Sequence, residues 1–156
     1  MTPAIIQLDK LAIPYQLHQY QHDANNKAFG LEAVTKLNLD PSIVFKTLVV
    51  EVNNDYLAVA ILPVAEKLNL KKLAKVLKAK KVVMAPANKV QTSTGYVLGG
   101  VSPLGQKKHL TTVIALQAEA LATMYISGGK RGLEIALSPI ELEKALSATV
   151  ADICYQ

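Results

Sequence analysis

The chain has 156 residues, 51% of them hydrophobic, with one cysteine and a formal net charge of +5, for a pI near 9.3. That length suits one domain, spanning 1–156, with a real core, and the apolar content argues against disorder. Cys154 has no partner for a disulfide, no apolar run approaches the roughly 20 residues of a membrane helix, and His18, His22 and His109 stand without a cluster of acidic residues. A protein without membrane span, metal or cofactor is expected. The opening MTPAIIQLDK lacks the charged leader and apolar stretch of a secretory signal, so a cytoplasmic setting is expected.

In chain order, Thr2-Pro3 reads as an N-cap with proline at the first helical position, starting a helix that runs to about Leu11. Ile13 to His22 alternates as a strand, with His18, Tyr20 and His22 on one side. Asn25 to Leu37 reads as a second helix, which Asp40-Pro41 closes. Phe45 to Val52 and Tyr56 to Val64, joined by Asn53-Asn54-Asp55, form a hairpin. An amphipathic helix follows over Asn69 to Leu77, then a short strand at Lys81 to Met84 and a helical turn after Pro86. Three further strands are expected at Thr111 to Leu116, Met124 to Ser127 and Leu133 to Leu137. Ser138-Pro139-Ile140-Glu141 is a capping box that opens the last helix, Pro139 to Leu146. The pattern is α+β: a mixed, partly closed, barrel-like sheet of six or seven strands surrounded by helices.

Between these elements lie two glycine loops, TGYVLGGVSPLGQKK at Thr94 to Lys108 and SGGKRG at Ser127 to Gly132. Such glycine density points to a loop whose main chain lines a site. Lysines follow both loops, and the basic surface is either a solubilising face or an attractor of RNA. No serine sits in a G-x-S-x-G elbow, and SGGKRG lacks the Walker spacing. Chemistry here would rest on positioning and backbone hydrogen bonds, each donor worth roughly 3 kcal/mol. Lys46, at the start of an apolar strand, is either a snorkelling side chain or a cation with a role. Tyr20 is either a half-exposed sheet tyrosine or part of a site.

Taken together, MTPA, HDANNKAFG, FKTLVV, STGYVLGGVSPLGQKK and SGGKRGLEI resemble, nearly end to end, the bacterial YbaK family of cysteinyl-tRNA(Pro) deacylases, relatives of the prolyl-tRNA synthetase editing domain. The resemblance implies a pocket for the aminoacylated 3′ end of tRNA(Pro) and hydrolysis of a mischarged ester, with the substrate's own thiol helping to expel the tRNA. It implies Lys46 as the cation near the ester and terminal adenosine, with Thr47 beside it in the substrate-binding set. Tyr20 and Phe29 would line the pocket, Gly99 and Gly100 would give main-chain contacts, and Ser127, Gly128 and Gly129 would form the opposite wall. Glu134 falls where some relatives carry aspartate.

A monomer is expected, with a transient partnership with prolyl-tRNA synthetase, because so small a chain has little surface for reading a whole tRNA. Two other readings stand beside it. One is a deacylase for alanyl-tRNA(Pro) or another small aminoacyl group; the other is a non-catalytic tRNA- or synthetase-binding module.

Overall fold

A computed structural model describes residues 1–156. Eight strands and five α-helices alternate along the chain. The strands form two sheets. A five-stranded one has the order β4 (Val82–Met84), β2 (Phe45–Val52), β3 (Tyr56–Pro63), β5 (Thr111–Ala115), β8 (Thr149–Ala151). A three-stranded one has the order β1 (Tyr15–Gln19), β7 (Leu133–Leu137), β6 (Met124–Ser127). The small sheet is antiparallel throughout, while the large one is mixed: β3–β5 and β5–β8 pair in parallel.

The α+β class and mixed sheet agree with the sequence reading, but the sheet does not close into a barrel. The two sheets join only through an isolated parallel bridge between Val44 and Tyr125. The eighth strand was not expected. It is only three residues long and pairs in parallel with β5, so no local signal announces it.

Alternation along β2 sends Phe45 and Val49 into one core and Val50 and Val52 into another. The larger core also holds Leu8 of α1 (Pro3–Lys10), Leu104 and Ile135; the smaller holds Leu73 of α3 (Leu70–Val76). The large sheet thus carries apolar contacts on both faces.

Two boundaries moved for identifiable reasons. The first strand ends at Gln19 because its partner β7 begins at Leu133, after Gly132 turns at φ +92°; Tyr20 N–H still reaches the Gly132 carbonyl at 2.9 Å, but Tyr20 and His22 lie beyond the strand. Helix α2 spans Phe29–Leu37 and does not begin at Asn25. Asp23 and Asn26 accept the N–H groups of Asn25 and Ala28 at 3.0 and 2.9 Å, turns that compete with helix. After Pro86 the chain makes a full helix, α4 (Ala87–Thr94), ended by Gly95 at φ +83°. Helix α5 (Pro139–Leu146) starts at the capping Ser138 as read.

Candidate active site

A cavity of about 320 Å³ opens where the two sheets meet. It is lined by Tyr20, Phe29, Lys46, Thr47, Gly99, Ser127 and Glu134, and also by Gly30, Val44, Phe45, Leu48, Leu98 and Val101. Seven of the ten residues singled out from sequence therefore meet at one place. Gly100, Gly128 and Gly129 do not line it.

Strand β2 builds the floor. Its even-numbered residues direct their backbone groups to β3, as the 2.7 Å bond from Val64 N–H to the Val44 carbonyl shows. Odd-numbered residues face the other edge: the Ile43 carbonyl accepts from Tyr125 N–H at 2.9 Å and the Val49 carbonyl from Ala85 N–H at 3.0 Å. Strand β4 pairs only with Val50, Glu51 and Val52, and the bridge to β6 lies at Val44. By the two-residue period, Thr47 is left in the gap with its N–H and C=O facing an open edge. Its Oγ1 is also buried without a hydrogen-bond partner.

Lys46 stands beside this gap, half-buried, with Nζ donating to the Glu66 carbonyl at 2.8 Å. Burial pushes its ammonium below the usual lysine range, while the Cys154 and Glu66 groups pull the other way.

The glycine loops form the wall, and they are firmly pinned. Lys107 and Lys108 N–H groups bond to the Thr94 and Ser93 carbonyls at 3.0 and 3.1 Å, and Tyr96 OH donates to the Leu104 carbonyl at 2.6 Å. Arg131 donates through Nε and Nη2 to the Leu98 carbonyl at 3.1 and 2.6 Å, with Cζ 4.3 Å from the Phe29 ring centroid. Thr2 donates to the Gly128 carbonyl at 2.5 Å, so the N-terminus of α1 holds the second loop.

Within these loops most glycine N–H groups are already engaged. Gly100 donates to the Val97 carbonyl at 2.9 Å, Gly128 to the Leu133 carbonyl at 2.8 Å and Gly129 to Ser127 Oγ at 3.2 Å. Gly99 and Val101, which border the cavity, have N–H groups with no partner in the chain. Gly100 is where the loops touch: a Cβ there would lie 3.0 Å from Lys130 Cα. Ser102 is fully buried, and its Oγ accepts from Leu104 N–H at 3.3 Å, which makes it a loop brace.

Opposite the β2 edge lies the small sheet. His18, Glu134 and Ser127 occupy one row across it, on the side away from the core residues Ile135 and Ile126. Glu134 is only 7% exposed and has no hydrogen-bond partner, and burial pushes its carboxyl up to about 8. Burial and the nearby Glu134 also raise the Tyr20 phenol. No group of three His, Cys, Asp or Glu side chains is placed to hold a metal ion.

Residues 27–145 match the aminoacyl-tRNA editing domain. The chain belongs to that family, the YbaK family. An Enterococcus faecalis protein, EbsC, named as a candidate Cys-tRNA(Pro)/Cys-tRNA(Cys) deacylase, is 33% identical over 153 residues, covering 97% of this chain and 92% of its own. The crystal structure of a hypothetical protein superposes with a TM-score of 0.88 at 25% identity, over 98% of this chain and 99% of that one. The fold is shared as well with a candidate trans-editing enzyme for prolyl-tRNA synthetase, at TM-score 0.86, 18% identity and coverage of 100% and 99%.

As an editing domain, the protein is an aminoacyl-tRNA deacylase, a carboxylic ester hydrolase that serves translation fidelity. None of its helices is long and apolar enough to cross a membrane.

Sequence reasoning missed one structural feature of the candidate site, a clasp behind Phe29. Glu32, 2% exposed, accepts from Asp23 N–H at 2.8 Å, His22 Nδ1–H at 2.5 Å and Lys36 Nζ at 3.0 Å. Burial alone would raise its carboxyl, but these bonds outweigh it and hold it at about 2. The clasp ties the segment after Tyr20 to α2 and so fixes Phe29 on the cavity rim. The only trace in sequence is Glu32 followed four residues later by Lys36.

Proposed function

We propose that the protein removes cysteine from mischarged tRNA(Pro). The observation that carries this reading is the Thr47 gap: one cavity offers an unpaired strand edge, the free Gly99 N–H and the Lys46 ammonium. Such donors suit an ester carbonyl whose oxygen gains charge during attack. EbsC, named for the same ester class, supports the choice of cysteine and proline tRNA.

In this mechanism Lys46 offsets charge at the ester and the terminal ribose, and the N–H groups of Gly99 and Thr47 hold the carbonyl. Tyr20 and Phe29 narrow the cavity around the aminoacyl group, with Ser127 and Glu134 on the far wall. Gly100, Gly128 and Gly129 keep that wall in place through loop packing. The substrate's thiol attacks its own ester carbonyl; a C–S bond forms and the bond to the ribose oxygen breaks. That oxygen takes the thiol proton and leaves with the tRNA. Water then opens the resulting four-membered thiolactone to free cysteine. A substrate that brings its own nucleophile fits a cavity that holds no cysteine and whose serine, Ser127, has no hydrogen bond to a base.

The protein works as a single-domain monomer in the cytoplasm, and prolyl-tRNA synthetase presents the tRNA transiently. Purified protein is to be assayed on cysteinyl- and alanyl-tRNA(Pro), with and without the synthetase. The reading expects cysteinyl ester to be cleaved at least about tenfold faster, an interaction worth roughly 1.4 kcal/mol. Equal rates would remove thiol assistance, and no hydrolysis of either would leave a tRNA-binding module.

A further inference from the structure

The cavity contains an acid that no cation of the protein pairs with. Glu134 is buried, lines the cavity together with Tyr20, Lys46, Thr47 and Ser127, and makes no hydrogen bond. Buried carboxyls normally have a donor, and one that lacks it is expected to meet one from outside. Lys46 is the cation nearest to hand in the lining, yet its ammonium is bonded to the Glu66 carbonyl, and Glu134 is not among the groups that perturb it. The row partners of Glu134 do not serve either. Ser127 Oγ accepts from Gly129 N–H and its hydroxyl makes no bond to Glu134, and His18 Nε2 is itself buried without a partner.

We infer that Glu134 is the receptor for the substrate's free α-ammonium, so the site selects esters whose amino group is unblocked. The inference rests on the deacylase reading and adds a substrate class to it. An aminoacyl ester is small, carries one positive charge next to the scissile carbonyl, and would place that charge on the wall facing Lys46 and Thr47. Gripping the ammonium on one side and the carbonyl on the other fixes the torsion between them, which orients the ester for attack. A peptidyl ester, or one acylated on nitrogen, lacks the cation and adds bulk at the same wall. The site would thereby spare the peptidyl-tRNA of the elongating ribosome while removing aminoacyl groups.

The test compares cysteinyl-tRNA(Pro) with N-acetyl-cysteinyl-tRNA(Pro), which keeps the thiol and the ester and loses only the charge. Each enzymatic rate is divided by that ester's spontaneous hydrolysis rate, because acetylation changes intrinsic reactivity. The wild type is expected to favour the free amine by on the order of 10- to 100-fold in kcat/KM, the range for a hydrogen bond to a charged group. Glu134→Leu, which keeps much of the side chain's bulk and removes the acceptor, is expected to abolish the preference by slowing only the free amine. Glu134→Gln, which keeps an acceptor without the charge, should fall between, and thermal melting checks that both variants fold.

A wild type that shows no preference, or variants that slow both esters equally, would overturn the inference while leaving the deacylase reading intact. If the wild type hydrolyses neither ester, the deacylase reading itself fails and the inference with it.

Discussion

Gly99→Ala perturbs the wall of the cavity at the point where backbone and side chains are closest. Gly99 has φ +85°, a region that costs an L-residue about 1–2 kcal/mol. The new Cβ would also lie 2.7 Å from Phe29 Cδ2 and Cε2 and 2.7 Å from Arg131 Nε. Neither neighbour can stay. Displacing them separates the Arg131–Phe29 stack, about 0.5–1 kcal/mol at an exposed site, and strains the two bonds from Arg131 to the Leu98 carbonyl. Together the loss is about 2–4 kcal/mol, which for a chain of this size lowers Tm by roughly 4–12 °C. Activity falls further than stability, because the wall carrying the free N–H moves: about 100-fold in kcat/KM is expected for a displacement near 1 Å. Differential scanning calorimetry and single-turnover deacylation of cysteinyl-tRNA(Pro) measure the two effects. A variant with unchanged Tm and kcat/KM within about twofold would refute the claim that this close approach shapes the site.

Two further outcomes follow from the charges. Because burial holds the Glu134 carboxyl at about 8, the folded chain keeps a proton that the unfolded chain releases near pH 4.3, so this residue lowers stability as pH rises from about 4.3 to 8. Urea unfolding should show Glu134→Leu more stable than wild type at pH 8.5 by about 1–4 kcal/mol and much closer to it at pH 5; an equal difference at both values contradicts the buried acid. With a net charge of +5, tRNA binding should weaken about 20- to 40-fold between 50 and 200 mM salt if about three phosphates are contacted, and a flat titration would mean the lysines only keep the protein soluble.

What could be read in the sequence was local. The hairpin of β2 and β3 was legible because Asn53, Asn54 and Asp55 punctuate two β-rich runs, and Asn53 and Asn54 do adopt positive φ. The capping box at Ser138 was legible for the same reason. The glycine loops were recognisable as a wall, but which N–H groups remain free depends on partners outside the motif, such as the Leu133 carbonyl that takes Gly128. The Thr47 gap was hidden altogether, since it exists only because β4 and β6 both stop short on the same edge of β2. Glu32 reads as an ordinary helix-face acid, and only the return of His22 and Asp23 over α2 reveals it as a buried clasp.

The proposal that this cavity performs the hydrolysis turns most directly on Lys46. Its side chain has one hydrogen bond, to the Glu66 carbonyl, and is only half-buried, so Lys46→Ala should fold and melt close to wild type. Single-turnover hydrolysis of cysteinyl-tRNA(Pro) by that variant is predicted to drop by at least about 100-fold, the loss of roughly 2.7 kcal/mol of electrostatic stabilisation at the ester. A folded Lys46→Ala protein that turns over this substrate at near wild-type rate would contradict the assignment of the active site.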